Sequence, residues 1–193
     1  MPFEPFERCS VNAIFGHSFK QTLMYIFVIG PSGVGKTTTL VPQIVESLKT
    51  VGVQPGVVEA GGWVRENVDP EPAETFRERL TEYACEKLSK DRNVAINWIR
   101  EKSRGSEITV VAGVRSPFDF GTLFDWTTDV VVWIRDDGVC MDPFDAGIDA
   151  IGQQIDWASL QGFNPCVIEG KSRRRLSKAS VQQILAKVSE RTP

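Results

Sequence analysis

The chain has 193 residues, room for one sizeable domain with an extension, and its 41% hydrophobic content can fill a core. Its 22 basic and 25 acidic residues leave a net charge of −3, which argues against a nucleic-acid-binding surface as its main business. A lone histidine, His17, excludes a histidine-based metal cluster; Cys9, Cys85, Cys140 and Cys166 hold no C-x-x-C pair and read as reduced cytosolic thiols.

Residues 1–22 scatter Phe3, Phe6, Phe15 and Phe19 among polar residues and read as a loosely attached extension without chemistry, ahead of a domain over residues 23–193. Met24 opens the first strand and is a second candidate for the natural start. Glu4 and Glu7, with no basic-then-apolar stretch, argue against a signal peptide. No apolar run approaches the roughly 20 residues of a membrane span, so a cytoplasmic protein is expected.

The apolar run Met24 to Ile29 predicts a strand, and Leu40, Val41, Ile44, Val45 and Leu48 predict a helix. Between them, Gly30-Pro31-Ser32-Gly33-Val34-Gly35-Lys36-Thr37 fits G-x-x-x-x-G-K-[ST] at every fixed position. Glycines let backbone N–H groups turn inward around phosphate oxygens, and the helix that follows adds a positive dipole end at the same spot. Lys36 is placed to reach the β- and γ-phosphates and the Thr37 hydroxyl to hold Mg²⁺, so ATP with Mg²⁺ is the expected ligand. Pro42 removes a bond to the Thr38 carbonyl, which costs about 3 kcal/mol in a helix interior, so a bend is expected there.

Farther on, Val57 to Ala60 reads as a short buried strand leading into Gly61-Gly62-Trp63-Val64-Arg65-Glu66. Asp69-Pro70-Glu71-Pro72 is a helix-start signal, and Phe76, Leu80, Ala84 and Leu88 share one helix face. A further helix carries Val94, Ala95, Trp98 and Ile99. Ile108 to Ala112 is a β-branched run of the kind found in central parallel strands, followed by Gly113-Val114-Arg115-Ser116-Pro117 and a short helix from about Phe118 to Leu123. Val130 to Ile134 is another strand, residues 136–164 read as an acidic, glycine-rich loop of weak periodicity, and Val167-Ile168 is a short last strand. The run Arg173-Arg174-Arg175 precedes a closing amphipathic helix with Val181, Ile184, Leu185 and Val188. Strands alternating with helices mean α/β with a parallel sheet covered on both faces.

The loop Gly30 to Thr38, the segment Glu59 to Glu66 and the segment Val111 to Pro117 together resemble the P-loop nucleoside monophosphate kinases, nearest to the deoxynucleoside monophosphate kinase and dephospho-coenzyme A kinase-like branch. The likeness covers residues 24 to 135. It implies a three-layer P-loop NTPase fold, with a five-stranded parallel sheet and helices on both faces. It further implies an ATP-dependent kinase whose nucleotide lies on Gly30, Pro31, Ser32, Gly33, Val34, Gly35, Lys36, Thr37 and Thr38. Arg65 and Arg115 match the arginines that grip the acceptor phosphate, most often that of a (deoxy)nucleoside monophosphate, and a guanidinium fork both neutralises and aims such a group. Glu59 matches an acid that orients the acceptor or holds magnesium through water; read without the family, it is an ion-pair partner for Arg115 or Arg65. Trp63, beside Arg65, reads as either a stacking or a packing residue.

Two features depart from that pattern. Ala112 stands where the third strand should end in an acid, with Glu59 the candidate substitute. No Lys or Arg occurs from Asp136 to Gly170, where lid arginines are expected; Asp136, Asp137, Asp142, Asp145, Asp149 and Asp156 stand there instead and read as a solvated acidic face. Arg135 and Arg173 to Arg175 are the remaining sources of such charge, and the latter run is placed for the adenine edge or ribose. The rival readings are a nucleotide-binding regulator without transfer and a nucleotide hydrolase completed by a partner's arginine. A small-molecule acceptor is the expected partner, and a homodimer is left open.

Overall fold

A computed structural model of the chain describes residues 23–135 and 145–190. The strands β1 (Met24–Ile29), β2 (Gly56–Glu59), β3 (Ile108–Ala112), β4 (Val130–Arg135) and β5 (Cys166–Lys171) form one five-stranded sheet in the order β2-β3-β1-β4-β5. Every pairing is parallel. β1 lies at the centre, paired to β3 (Val28 with Ala112) and to β4 (Val28 with Val132). All of its residues are buried because both faces are covered, which is why its sequence is a continuous apolar run.

Alternate residues serve opposite faces. Met24, Ile26 and Val28 pack with Ile44 and Leu48 of α1 (Val41–Thr50) and Ile184 and Val188 of α7 (Lys178–Ser189). Tyr25, Phe27 and Ile29 pack with Ile96 and Ile99 of α4 (Val94–Lys102), Phe120 of α5 (Pro117–Leu123) and Ile148, Ile151 and Ile155 of α6 (Ala146–Leu160). The second core is partly aromatic: the Phe27 ring meets Phe120 edge-on at 5.4 Å, and Phe120 stacks on Phe124 at 4.7 Å. At the base of the sheet the buried Asp129 carboxylate accepts from the Tyr25 N–H at 2.7 Å and the Asp125 N–H at 2.9 Å.

The connection after β1 runs over one face through α1, whereas those after β2, β3 and β4 pass over the other through α4, α5 and α6. The carboxyl end of β1 is therefore a topological switch point, where open α/β sheets form a crevice. Beside it a satellite cluster joins α2 (Gly62–Arg65), α3 (Phe76–Lys90) and α4.

Three expectations are corrected. Residues 146–160 form the helix α6 rather than a loop: Ile148, Ile151, Ile155 and Ala158 recur at helical spacing and are buried, a signal diluted by Gly147, Gly152 and the surrounding aspartates. Asp149 and Asp156 are exposed on that helix, while Asp136, Asp137, Asp142 and the extension 1–22 lie outside the described residues. Pro42 does not interrupt an α-helix. Lys36–Leu40 forms a wide turn, with the Leu40 and Val41 N–H groups donating five residues back to Gly35 and Lys36, and α1 proper starts at Val41 with Pro42 in its first turn. The last strand is also longer than read from Val167-Ile168, since Lys171 still pairs with Arg135. Among the described residues no helix is long and apolar enough to cross a membrane.

Candidate functional site

The crevice holds a cleft of about 960 Å³. It is lined from β1 by Ser32, Gly33 and Gly35 to Thr39, from β2 by Glu59 to Gly61 and Arg65, and from β3 by Gly113 to Ser116. The three segments singled out in the sequence therefore meet in one place. Gly30, Pro31 and Val34 are buried and stand behind the loop; a Cβ on Gly30 would come within 2.7 Å of the Ile134 Cβ, so glycine is required for close packing there.

The loop's shape depends on Gly33 at φ 75° and Gly35 at φ 84°, in the left-handed region. Among the described residues, the N–H groups of Gly33, Gly35, Lys36, Thr37 and Thr38 find no carbonyl or carboxylate acceptor. Unpaired backbone donors in series form a nest for an anion. Lys36, only 9% exposed, folds back so that Nζ donates to the Gly30 carbonyl at 2.7 Å and the Pro31 carbonyl at 2.5 Å. Burial, then the nearby Arg115 charge, pushes its ammonium down to about 8, with Asp145 and Glu59 opposing.

On the far side of the cleft Arg65 donates to the Glu59 carboxylate at 2.6 Å, both side chains being partly exposed. Of the two partners considered for Glu59, Arg65 is the one found. Glu59 pairs in register with Ala112, so it sits one strand farther from β1 than a β3 acid would, about 4.8 Å away in the sheet. Arg115 reaches the donor loop: Nη2 donates to Ser32 Oγ at 2.9 Å, and Nε lies 3.5 Å from Asp145 Oδ1. Trp63 is buried, packs against Tyr83 with ring centroids 6.2 Å apart, and also lines the cleft. The outer wall is α3, whose Leu80, Ala84 and Leu88 stripe faces the cleft.

Two residues escaped the sequence reading. Asp145, assigned to an acidic face, is fully buried, and its carboxylate accepts from the Ser32 N–H at 2.9 Å and the Ser32 hydroxyl at 3.2 Å. The available signal was an aspartate placed just before the Ile148-Ile151-Ile155 stripe, a helix-start position. Asp119 also lines the cleft from the first turn of α5, and burial pushes its carboxyl up against the opposing pull of Ser116 and Arg92. Arg173 lies over the phosphate loop: its N–H donates to the Val34 carbonyl at 2.8 Å and its Nε to the Gly33 carbonyl at 3.4 Å. It is the one non-glycine residue with positive φ among those described, at 54°. Arg175 instead pairs with Glu46 at 3.0 Å, on the outside of α1.

For magnesium, no cluster of His, Cys, Asp or Glu able to cage an ion exists among the described residues. Magnesium bound with a nucleotide needs little from the protein, one or two oxygens beside the substrate phosphates, and the exposed Thr37 hydroxyl and the Glu59 carboxylate on this cleft fit that need. The structure is thus a parallel α/β domain with a row of loop amides that lack acceptors among the described residues at its switch point. No protein-family model matches the chain, and no curated protein matches it in sequence.

Proposed function

We propose that this is a P-loop NTPase-fold kinase that moves the γ-phosphate of ATP to a phosphate on a small acceptor, with a (deoxy)nucleoside monophosphate as the acceptor class. The observation that carries it is the pairing, across one cleft, of the open amide row Gly33 to Thr38 with Arg65 and Arg115 from the ends of two neighbouring strands. Arg115 touches that loop at Ser32 and Arg65 lies on the same cleft, and two guanidinium groups beside an anion-binding loop suit in-line transfer between two anions.

The loop amides and Lys36 hold the donor's phosphates. To do so Lys36 must leave the Gly30 and Pro31 carbonyls, and a protonated ammonium is the form that binds. Thr37 and Glu59 would hold magnesium bound with the nucleotide, which would screen the triphosphate and polarise its oxygens. Arg65 exchanges Glu59 for the acceptor phosphate, and Arg115 aims that phosphate at the donor. A phosphate oxygen is already an adequate nucleophile, so no general base is assigned. Ala112 at the β3 end favours a second reading, a nucleotide-bound regulator without transfer.

Incubating the protein with ATP, Mg²⁺ and a panel of mononucleotides, and following diphosphate and inorganic phosphate, separates these. Acceptor-dependent diphosphate is expected. Binding without turnover would support the regulator, and acceptor-independent phosphate release a hydrolase.

A further inference from the structure

We infer that Asp145 is a positioning residue that fastens the acceptor arginine Arg115 to the donor loop at Ser32, so that one buried carboxylate sets the two halves of the cleft relative to each other. The inference rests on the phosphotransfer reading of the cleft.

Asp145 side-chain exposure is 1%, and a carboxylate taken that far from water persists only with partners that answer its charge. Among the described residues these are the Ser32 N–H at 2.9 Å, the Ser32 hydroxyl at 3.2 Å and Arg115 Nε at 3.5 Å. Arg115 closes the triangle by donating from Nη2 to Ser32 Oγ at 2.9 Å. The Ser32 hydroxyl thus accepts from the arginine and donates its single proton to the aspartate. The backbone supplies a second, independent tie. Gly147, two residues beyond Asp145, lies so close to Arg115 that a Cβ there would run into the Arg115 carbonyl oxygen and stand 3.3 Å from Pro117 Cδ. The start of α6 is therefore built against both the main chain and the side chain of Arg115.

Ser32 occupies a free position of the phosphate-loop motif, so the loop does not itself require a hydroxyl there. Its N–H faces Asp145 instead of the cleft, leaving the Gly33 to Thr38 amides for phosphate. Arg115 has five N–H donors; among the described residues Ser32 and Asp145 engage Nη2 and Nε, which leaves Nη1 for an acceptor phosphate, and the side chain remains 38% exposed. A displacement of about 1 Å between reacting groups can cost a hundredfold in rate, so fixing this offset is a catalytic task even though Asp145 touches neither substrate.

The test is a double-mutant cycle on the full chain with Asp145→Asn, Arg115→Gln and the pair, using the best mononucleotide acceptor with ATP and Mg²⁺. Each single change is expected to lower kcat/KM for the acceptor about 30- to 100-fold, mostly in kcat, and the double to fall no more than about 3-fold below the weaker single. KM for ATP is expected to stay within about 3-fold. Should Asp145→Asn not fold, Ser32→Ala takes its place in the cycle, with the same non-additivity expected. Losses that multiply, or an Asp145→Asn effect that tracks a fall in thermal midpoint and weakens ATP and acceptor alike, would overturn the inference. Transfer by the wild type with multiplying losses removes the inference alone; no transfer by the wild type removes the kinase reading and this inference with it.

Discussion

In the proposed function donor binding turns on Lys36, and the surroundings of that residue set a pH dependence. Its ammonium is pushed down to about 8 from an ordinary 10.5, chiefly by burial. The folded chain therefore binds fewer protons than the unfolded chain between those values, and this group's contribution to stability rises with pH across that window. Triphosphate binding has the opposite slope, because it requires the charged form and must restore a proton above pH 8. Calorimetric titration should show ATP–Mg²⁺ affinity nearly flat from pH 6 to 7.5 and weaker by about tenfold at pH 9; a flat profile to pH 9 would contradict the assignment. Gly147 gives a second expectation. Gly147→Ala forces a methyl group into the Arg115 carbonyl and should cost about 1–3 kcal/mol, read as a lower urea midpoint at unchanged m. The motif that holds Lys36 was legible in the sequence because it is contiguous. Asp145 was not, because its role comes from Ser32 and Arg115, far away in sequence.

Elements show the same division. The strands and α1, α4, α5 and α7 follow from local periodicity, since each buries apolar residues at its own spacing, while α3 follows from a Leu80, Ala84 and Leu88 stripe that lines the cleft without being fully buried. α6 was hidden by its glycines and acids, and is held by the packing of Ile148, Ile151 and Ile155 on the aromatic core. Pro42 illustrates how tertiary context reverses a local rule. In the interior of a helix it would cost about 3 kcal/mol, yet the wide Lys36–Leu40 turn places it in the first turn of α1. Pro42→Ala should therefore change stability by less than about 1 kcal/mol, without the gain expected from repairing a kinked helix; chemical denaturation measures it. The N-cap of α7 is a plainer case: the Ser177 hydroxyl accepts from the Ser180 N–H at 3.1 Å, and Ser177→Ala should cost about 1 kcal/mol by the same assay.

At the scale of the molecule, the parallel sheet leaves its crevice where β1 hands over to one face and its neighbours to the other, and the cleft gathers charge from three strand ends. A ligand that fills this cleft only in the folded state must raise the unfolding temperature. ATP–Mg²⁺ at about 100 times its Kd should add about 2.7 kcal/mol and raise Tm by about 5–10 °C, and Lys36→Ala should abolish the shift. The sequence by itself determined the α/β class and the parallel sheet, and offered the G-x-x-x-x-G-K-[ST] motif and the candidate pair Arg65 and Arg115, because apolar period and contiguous motif spacing are local properties of the chain. Only the tertiary structure decided that Trp63 meets Tyr83, that Glu59 pairs with Arg65, that Arg173 covers the loop, and that Asp145 joins Arg115 to Ser32. Those are contacts between segments distant in sequence, and no local pattern encodes which carboxylate the fold will bury against which arginine.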